Sequence, residues 1–573
     1  MMAMADQSNV EINGIYYNLF SDTNEAEVTI NPDKYSGNVA IPSSITYGGQ
    51  TYSVTSIGEE AFKDCNNLTG IDFPSSLKII NDLAFHGCRN LTSAIIPEGV
   101  TIIGLAAFMY CNLTDPNIPS SATFVGNNVF SETPWYYNQT NGVIYLDNWL
   151  LICRETGAIV VKEGTRGIAS KAFMEREGVT SVVIPSSIIS ICDAAFYLCT
   201  NLTSVKILGG TPSIEYCAFA FCYNLSEVAL PEGVTKIGIG AFENCYALKS
   251  VTIPSSIESI EKEAFYRCYG LTNVTILDGV KSIGDKAFYE CTSLKSIVFP
   301  QSITSLGEHA FSGCNEMTDI SFLGGNVKSI GNYAFYNTSN IDPVVHITDL
   351  AAWCAIEFGD YYANPLVYDG HLILNGNEVK DLVIPDGVTK IGNYAFYCCR
   401  FSSATIPSSV TTIGIKAFCQ CIYMDNIVLS EGLTTIEEGA FASCNFENLI
   451  IPSTVTSIGI CAFDRAGLLS KKITSLIKVP FEIETNVFWE NIYNLGTLYV
   501  PFGTKGKYET TAGWKNFVNI VEMEETSIDT IARNGEVTMK DNYSLNGQRV
   551  FSSAKGLNII KMSDGTIRKV IVK

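Results

Sequence analysis

Histidine is scarce in this chain, with four among 573 residues: His86, His309, His346 and His371. No two cysteines are spaced C-x-x-C. Both scarcities argue against a zinc site, whose ligands come from Cys/His clusters at such spacings. The local signatures of a phosphate-cradling loop, a zinc protease and a calcium loop are also missing. Basic charge is short: 37 Lys and Arg face 58 Asp and Glu, for a net charge of −21. Neutralising a nucleic-acid backbone takes lysine and arginine, so that class of partner is excluded. An acidic surface favours solubility and repels anionic membranes. No apolar run approaches the roughly 18–20 residues of a membrane span. The opening MMAMADQ lacks the apolar core of a signal peptide. Its Ala3-Met4-Ala5 fits either the remnant of a cleavage site or a cloning scar.

What the chain does have is a repeat. The skeleton of SIGEEAFKDC, Ser56 to Cys65, is I-G-x-x-A-F-x-x-C, and it returns along most of the sequence. Ala-Phe doublets end at Phe62, Phe85 and Phe108, then at Phe173, Phe196, Phe219, Phe242, Phe265, Phe288 and Phe311 in strict steps of 23. Phe335, Phe396, Phe418, Phe441 and Phe463 continue the series, and Val-Phe stands in at Phe130 and Phe488, for seventeen units in all. A fixed period in the twenties marks a solenoid. One unit reads LKSVTIPSSIESIEKEAFYRCYG, Leu248 to Gly270. Leu248, Val251 and Ile253 form a strand-like run that Pro254 ends, because proline has no N–H to pair. Ile257, Ile260 and the Ala264-Phe265 doublet supply the second apolar run. One coil cannot close a core alone, so stacked coils are expected to align like residues in columns about 4.8 Å apart. The constant alanine before phenylalanine predicts close backbone contact there. The Gly58 slot accepts Asn81, Ala169, Cys192, Glu215, Glu261 and Glu437, so positive φ is not required in it.

Twelve of the nineteen cysteines stand three residues after a repeat phenylalanine, in a column that also accepts Thr338 and Ala466. Small-residue tolerance is how a buried thiol acting as a small hydrophobe behaves. A ladder of free thiols is therefore expected; disulfides or a metal are the other readings, and the odd total argues against full pairing.

The rhythm breaks twice, between Phe130 and Phe173 and between Phe335 and Phe396. Each break carries strand-like runs joined by Asp-Asn, Asp-Gly or Asn-Gly, the signals of tight hairpins. The N-terminal segment looks related, with Gly48-Gly49 between two such runs. The breaks also concentrate aromatic residues: Trp135, Tyr136, Tyr137, Trp149, Trp353, Tyr361 and Tyr362. These rings either plug the core where repeats are interrupted or form a surface that binds a sugar or protein. After 491 the repeat stops, and Trp514 and Phe517 are expected to cover the last coil. Glu522, Glu524 and Glu525 mark a linker, and from Thr526 the balance turns basic, with eight Lys or Arg against four Asp or Glu. Turn signals at Asn546-Gly547 and Asp564-Gly565 predict a small β-domain there.

The pattern L-x-x-V-x-I-P…I-G-x-x-A-F-x-x-C resembles the BspA-like class of bacterial leucine-rich repeats. The resemblance implies a solenoid of leucine-rich repeats of about 23 residues, mostly β and irregular, with β-hairpin caps or inserts. The expected organisation is an N-terminal β cap (1–54) and repeat blocks over 55–133, 172–340 and 381–490. Hairpin inserts would fill 134–171 and 341–380, a cap and linker 491–525, and a small C-terminal β-sandwich 526–573. The end of the chain, Tyr543-Ser-Leu-Asn-Gly-Gln-Arg-Val550 with Lys569-Val-Ile-Val-Lys573, looks like a C-terminal sorting domain of the type IX secretion system of Bacteroidetes. Together the two resemblances imply a protein secreted or held on the outer cell surface, its signal peptide removed. The family's link to adhesion implies a host matrix protein, a glycan or another microbial surface as partner, with no cofactor. Two alternatives are a surface enzyme acting on glycans or peptides and a structural spacer. Ser75-Ser76-Leu77-Lys78 fits S-x-x-K but occupies an ordinary repeat corner, and carboxylates such as Glu261 and Glu263 fall at variable positions.

Overall fold

The computed structural model describes residues 7–140, 142–210, 212–338, 342–467 and 472–524, and beyond them the backbone of four strands between Met539 and Val572. The chain divides into two compact units, Met1–Lys295 with Ala310–Glu316, and Ser296–His309 with Met317–Lys573. Each is a β-solenoid. In the first, strands such as Val179–Ile184 and Ser204–Ile207 stack in parallel, with Val182 beside Val205 and Val205 beside Val228. Side chains alternate along each strand: Val251 and Ile253 are buried, whereas Thr252 between them faces solvent. The strand ends at Ile253, so Pro254 stops it as its missing N–H predicts. A second parallel ladder, two residues per coil, carries Ile168, Ile191, Ile214, Ile237, Ile260 and Ile283 inward. The second unit repeats this plan, with Ser403–Ile406 on Asn426–Leu429 and Ile413 on Ile436.

The Ala-Phe segment is not a strand but a run of overlapping turns. In the first full coil the amides of Glu60, Phe62 and Asp64 donate to the carbonyls of Asp82, Ala84 and His86 in the next. The amides between them bond locally, Ala61 to Gly58 and Lys63 to Glu60. This geometry needs left-handed backbone two residues before and two after the phenylalanine, as at Glu60 (φ 58°) and Asp64 (φ 55°). Because the alanine carbonyl receives the phenylalanine amide of the preceding coil at about 2.7–2.8 Å, a bulkier side chain there would be crowded, as the constant alanine predicts. The Gly58 column has no positive φ, but a Cβ at Gly284 would meet the Lys262 amide nitrogen at 2.6 Å, so glycine answers close approach.

Phenylalanine rings fill the column. Phe196, Phe219, Phe242, Phe265 and Phe288 stack at 4.8–5.3 Å within 7° of parallel, all fully buried. Tyr35 begins the column, its ring 4.3 Å from Phe62, with its hydroxyl bonded to Thr29 and Tyr16. The N-terminal strands Gln7–Ile12, Ile15–Phe20 and Glu25–Val28 form an antiparallel meander that joins the first coil through Gln50–Ile57. At the far end Trp514 and Phe517 pack on Phe488 at 6.0 and 5.3 Å.

All nineteen cysteines are free thiols, and all but Cys398 and Cys461 are buried. Ten of the twelve column cysteines share one kind of partner, the phenylalanine carbonyl of the coil before. Cys88 donates to the Phe62 carbonyl at 3.0 Å, Cys199 to Phe173 at 2.9 Å, Cys245 to Phe219 at 3.3 Å and Cys444 to Phe418 at 2.9 Å. Each phenylalanine carbonyl already accepts a local amide, so the thiol satisfies its second lone pair. A small apolar residue fits this space, but only a small donor fills it completely. Burial pushes the pKa up to about 12 at Cys268 of the column and at Cys192 of the Gly58 slot, so these two thiols stay protonated and inert. Iodoacetamide is expected to label Cys461 first in the folded protein and to leave Cys245 untouched. Mass spectrometry of the digested product checks this, and labelled Cys245 would mean the column is open.

The tail strands Arg549–Val550, Met539–Tyr543, Gly556–Met562 and Ile567–Val572 form one antiparallel sheet in that order. The sandwich expected over 526–573 and its turns at Asn546-Gly547 and Asp564-Gly565 otherwise lie outside the described residues.

Candidate binding surface at the inserts

Both breaks hold the expected tight hairpins. Asp147-Asn148 joins Val143–Leu146 to Trp149–Cys153, and Asn375-Gly376 joins His371–Leu374 to Asn377–Glu378. Asn375 and Gly376 have φ of 50° and 80°, the left-handed pair such a turn demands. Gly48-Gly49 does the same between Ser44–Tyr47 and Gln50–Ile57. Asp369-Gly370 instead lies in a turn ahead of the strand at His371.

In the first insert a short helix, Pro134–Tyr137, starts from Thr133, whose hydroxyl accepts the Tyr136 amide. This brings Trp135 edge-on against Phe130, the last ring of the first block, at 6.1 Å. Tyr136 lies under the Arg154 guanidinium at 5.2 Å, and Tyr137, 67% exposed, donates to Glu132. Trp149 is different: it is 2% exposed and lies flat over Gly167. A Cβ on Gly167 would sit 2.2–2.5 Å from three Trp149 ring atoms. Gly167→Ala is expected to cost about 1–3 kcal/mol by overpacking. A fall in Tm with a red shift of tryptophan emission would show the indole expelled; an unchanged spectrum would show spare room.

In the second insert the helix Leu350–Cys354 is capped by Asp349, whose carboxylate accepts the Ala352 amide. Trp353 is also 2% exposed. Its indole N–H donates to the Ala395 carbonyl at 2.8 Å, and the Asn364 amide donates to the same oxygen at 3.0 Å. In a regular stack that carbonyl would receive a phenylalanine amide from the coil before, but the Phe335 amide goes to Tyr362 in the insert. The insert thus supplies donors where the repeat is broken. Of the two readings open for these rings, the burial of Trp149 and Trp353 fits the plug and not the binding surface: both rings face the core.

Tyr361 and Tyr362 belong to a larger group. Their rings are 4.1 Å apart, Tyr361 meets Tyr397 at 5.2 Å, and Tyr362 meets Tyr336 at 4.8 Å and Tyr333 at 5.8 Å. Tyr368 accepts the Asn337 amide and lies 6.5 Å from Tyr362. Tyr333 and Tyr336 are 40% and 43% exposed, and Tyr361 and Tyr362 are half-buried. The repeat tyrosines were missed as site residues, yet a signal exists: Asn-Tyr-Ala-Phe-Tyr occurs at 332–336 and again at 393–397, on the coils that bracket the insert. A second row, Tyr223, Tyr246 and Tyr269, stacks at 4.9 Å per step in the first unit and is marked by its spacing of 23.

No cluster of three or more His, Cys, Asp or Glu side chains suited to a metal occurs among the described residues. Among them no helix is long and apolar enough to cross a membrane.

The BspA type leucine rich repeat region matches this sequence in six copies, over residues 42–135, 166–291, 258–351 and 374–500. No curated protein matches it. Similar solved structures include a leucine-rich repeat protein from Bacteroides ovatus, 24% identical, covering 81% of this chain and 94% of that one, with a TM-score of 0.35. Another is a leucine rich cell surface protein from Faecalibacterium prausnitzii, 20% identical over 92% and 98% of the two chains, TM-score 0.26. The pneumococcal vaccine antigen PcpA is 15% identical over 91% and 100%, TM-score 0.29. Repeat matches extend over well more than half of the sequence, and the chain belongs to the BspA-type leucine-rich repeat family.

Proposed function

We propose that this protein is a non-enzymatic binding protein of the outer cell surface or its surroundings, adhering to a host matrix protein, a glycan or another microbial surface. The observation that carries this reading is the tyrosine group at the second insert, where at least four rings in mutual contact remain open to solvent. Tyrosine combines a large apolar face with a hydroxyl and few rotatable bonds, which suits a recognition surface. Tyr136 and Tyr137 of the first insert are a second such patch. The N-terminal meander and 491–524 are read as end covers of the solenoid. The basic segment 526–573 is read as a type IX sorting domain that delivers the protein outward. Binding to an array of matrix proteins and glycans tests the reading, with Tyr333→Ala, Tyr336→Ala and Tyr362→Ala combined in one variant. Saturable binding of the parent, lost in the folded variant, is the expected result. No binding across the array would leave the spacer or enzyme alternative.

A further inference from the structure

A cleft of about 420 Å³ opens beside the last repeat phenylalanine, Phe488. That volume is in the range of small-molecule clefts, about 300–1,000 Å³. It is lined by Trp489, Asp464, Asn486, Glu490, Asn494 and Asn516, with Tyr493 at its base. Trp489 is an exposed indole, 42% open, at the head of the short helix Glu490–Leu495. Tyr493 is 5% exposed, with its hydroxyl shut off from solvent. Burial raises its pKa to about 12, against the opposing pull of the Phe488 amide that faces it.

The cause is the end of the turn ladder. Every earlier repeat phenylalanine amide described in this block has a following coil to bond: Phe441 donates to Ala462 and Phe463 to Val487. After Phe488 the turn column has no further step: the chain turns into the helix, and only the strand ladder goes on, through Thr497–Val500 and Asn519–Glu522. The side chains of Asn486, Asn494 and Asn516 likewise make no hydrogen bond among the described residues. An open indole and three carboxamides with no protein partner among the described residues therefore line one cavity.

We infer that this cleft binds a neutral pyranose, the terminal or penultimate unit of an uncharged oligosaccharide. The C–H face of a pyranose packs on an exposed indole, while its ring of hydroxyls needs groups that both donate and accept. Carboxamides do both. An apolar ligand would leave those groups unpaired at a cost. An anionic sugar would face Asp464 and Glu490, so the charge of the cleft selects against carboxylated sugars. This assignment does not depend on the insert tyrosines.

The test uses the whole chain with lactose, maltose and 3′-sialyllactose, read by saturation-transfer NMR and by tryptophan fluorescence titration. Millimolar, saturable binding of lactose or maltose is expected, with sialyllactose weaker. Trp489→Ala is expected to weaken it about tenfold or more, about 1.4 kcal/mol for each factor of ten. Trp489→Phe should keep most of it, and Tyr361→Ala should change nothing. Should Trp489→Ala fail to fold, Asn494→Ala, on an exposed helix position, serves in its place. No binding of either neutral sugar, binding untouched by the cleft variants, or sialyllactose bound as tightly as lactose would each overturn the assignment.

Discussion

Above about pH 8.5, where ordinary thiols ionise, the protein is expected to lose about 4 kcal/mol of stability per pH unit from Cys192, Cys268 and Cys354 alone. Burial holds these three pKa values at about 12 in the fold. In the unfolded chain the same groups release their protons near the ordinary thiol value. The folded state therefore binds more protons across the interval, and stability falls as pH rises from about 8.5 toward 12. Below that window both states are protonated and the term is constant. Thirteen further cysteines have pKa values raised in the same direction, so the real slope is steeper. Thermal melts at successive pH values, with reductant present, measure it. Cys192→Ala should flatten the dependence by one proton. A Tm that stays level to pH 10.5 would contradict the burial of these thiols.

Phe242→Ala is the second large effect, expected to cost about 3–5 kcal/mol. The ring is fully buried and stacks on Phe219 at 5.2 Å and Phe265 at 5.3 Å, so its loss opens a cavity and breaks two aromatic contacts. Coils stabilise mainly their neighbours, so the damage should be regional. Hydrogen exchange should quicken at the amides of Phe219 and Phe265, which flank the cavity, and much less at Phe441. Phe242→Leu should recover a good part of the loss. Uniform protection in the alanine variant would show that the column does not hold the coils together.

The solenoid was legible because its evidence is repeated. Phe173 to Phe311 keep one spacing, so each coil confirms the register of the others. The hairpins at Gly48-Gly49, Asp147-Asn148 and Asn375-Gly376 were legible because two adjacent residues define such a turn. The roles of individual aromatic residues were not. Trp353 bonds Ala395, 42 positions away, and only the interruption of the ladder makes that carbonyl need a donor. Trp149 is buried because Gly167 leaves it room, and nothing local to Trp149 announces that glycine. The cysteine column was read as small and apolar from its substitutes. Its donor role was hidden because the partner carbonyl lies 26 residues back, for instance Phe62 for Cys88. The cleft at Trp489 lies where the repeat has stopped, so periodicity had nothing to say about Asn486, Asn494 or Asn516.

The forward-running amides of the turn column have an electrostatic corollary. Three peptide units per coil point their N–H groups toward the next coil, so within each unit their dipoles add along the stack. The sense is opposite to that of an α-helix, whose N–H groups point toward its start. The end with the higher residue numbers is thus the donor-rich, electropositive one, and the starting end is carbonyl-rich. In the second unit that donor-rich end is not bare: Trp514 and Phe517 pack on Phe488 and close the column there.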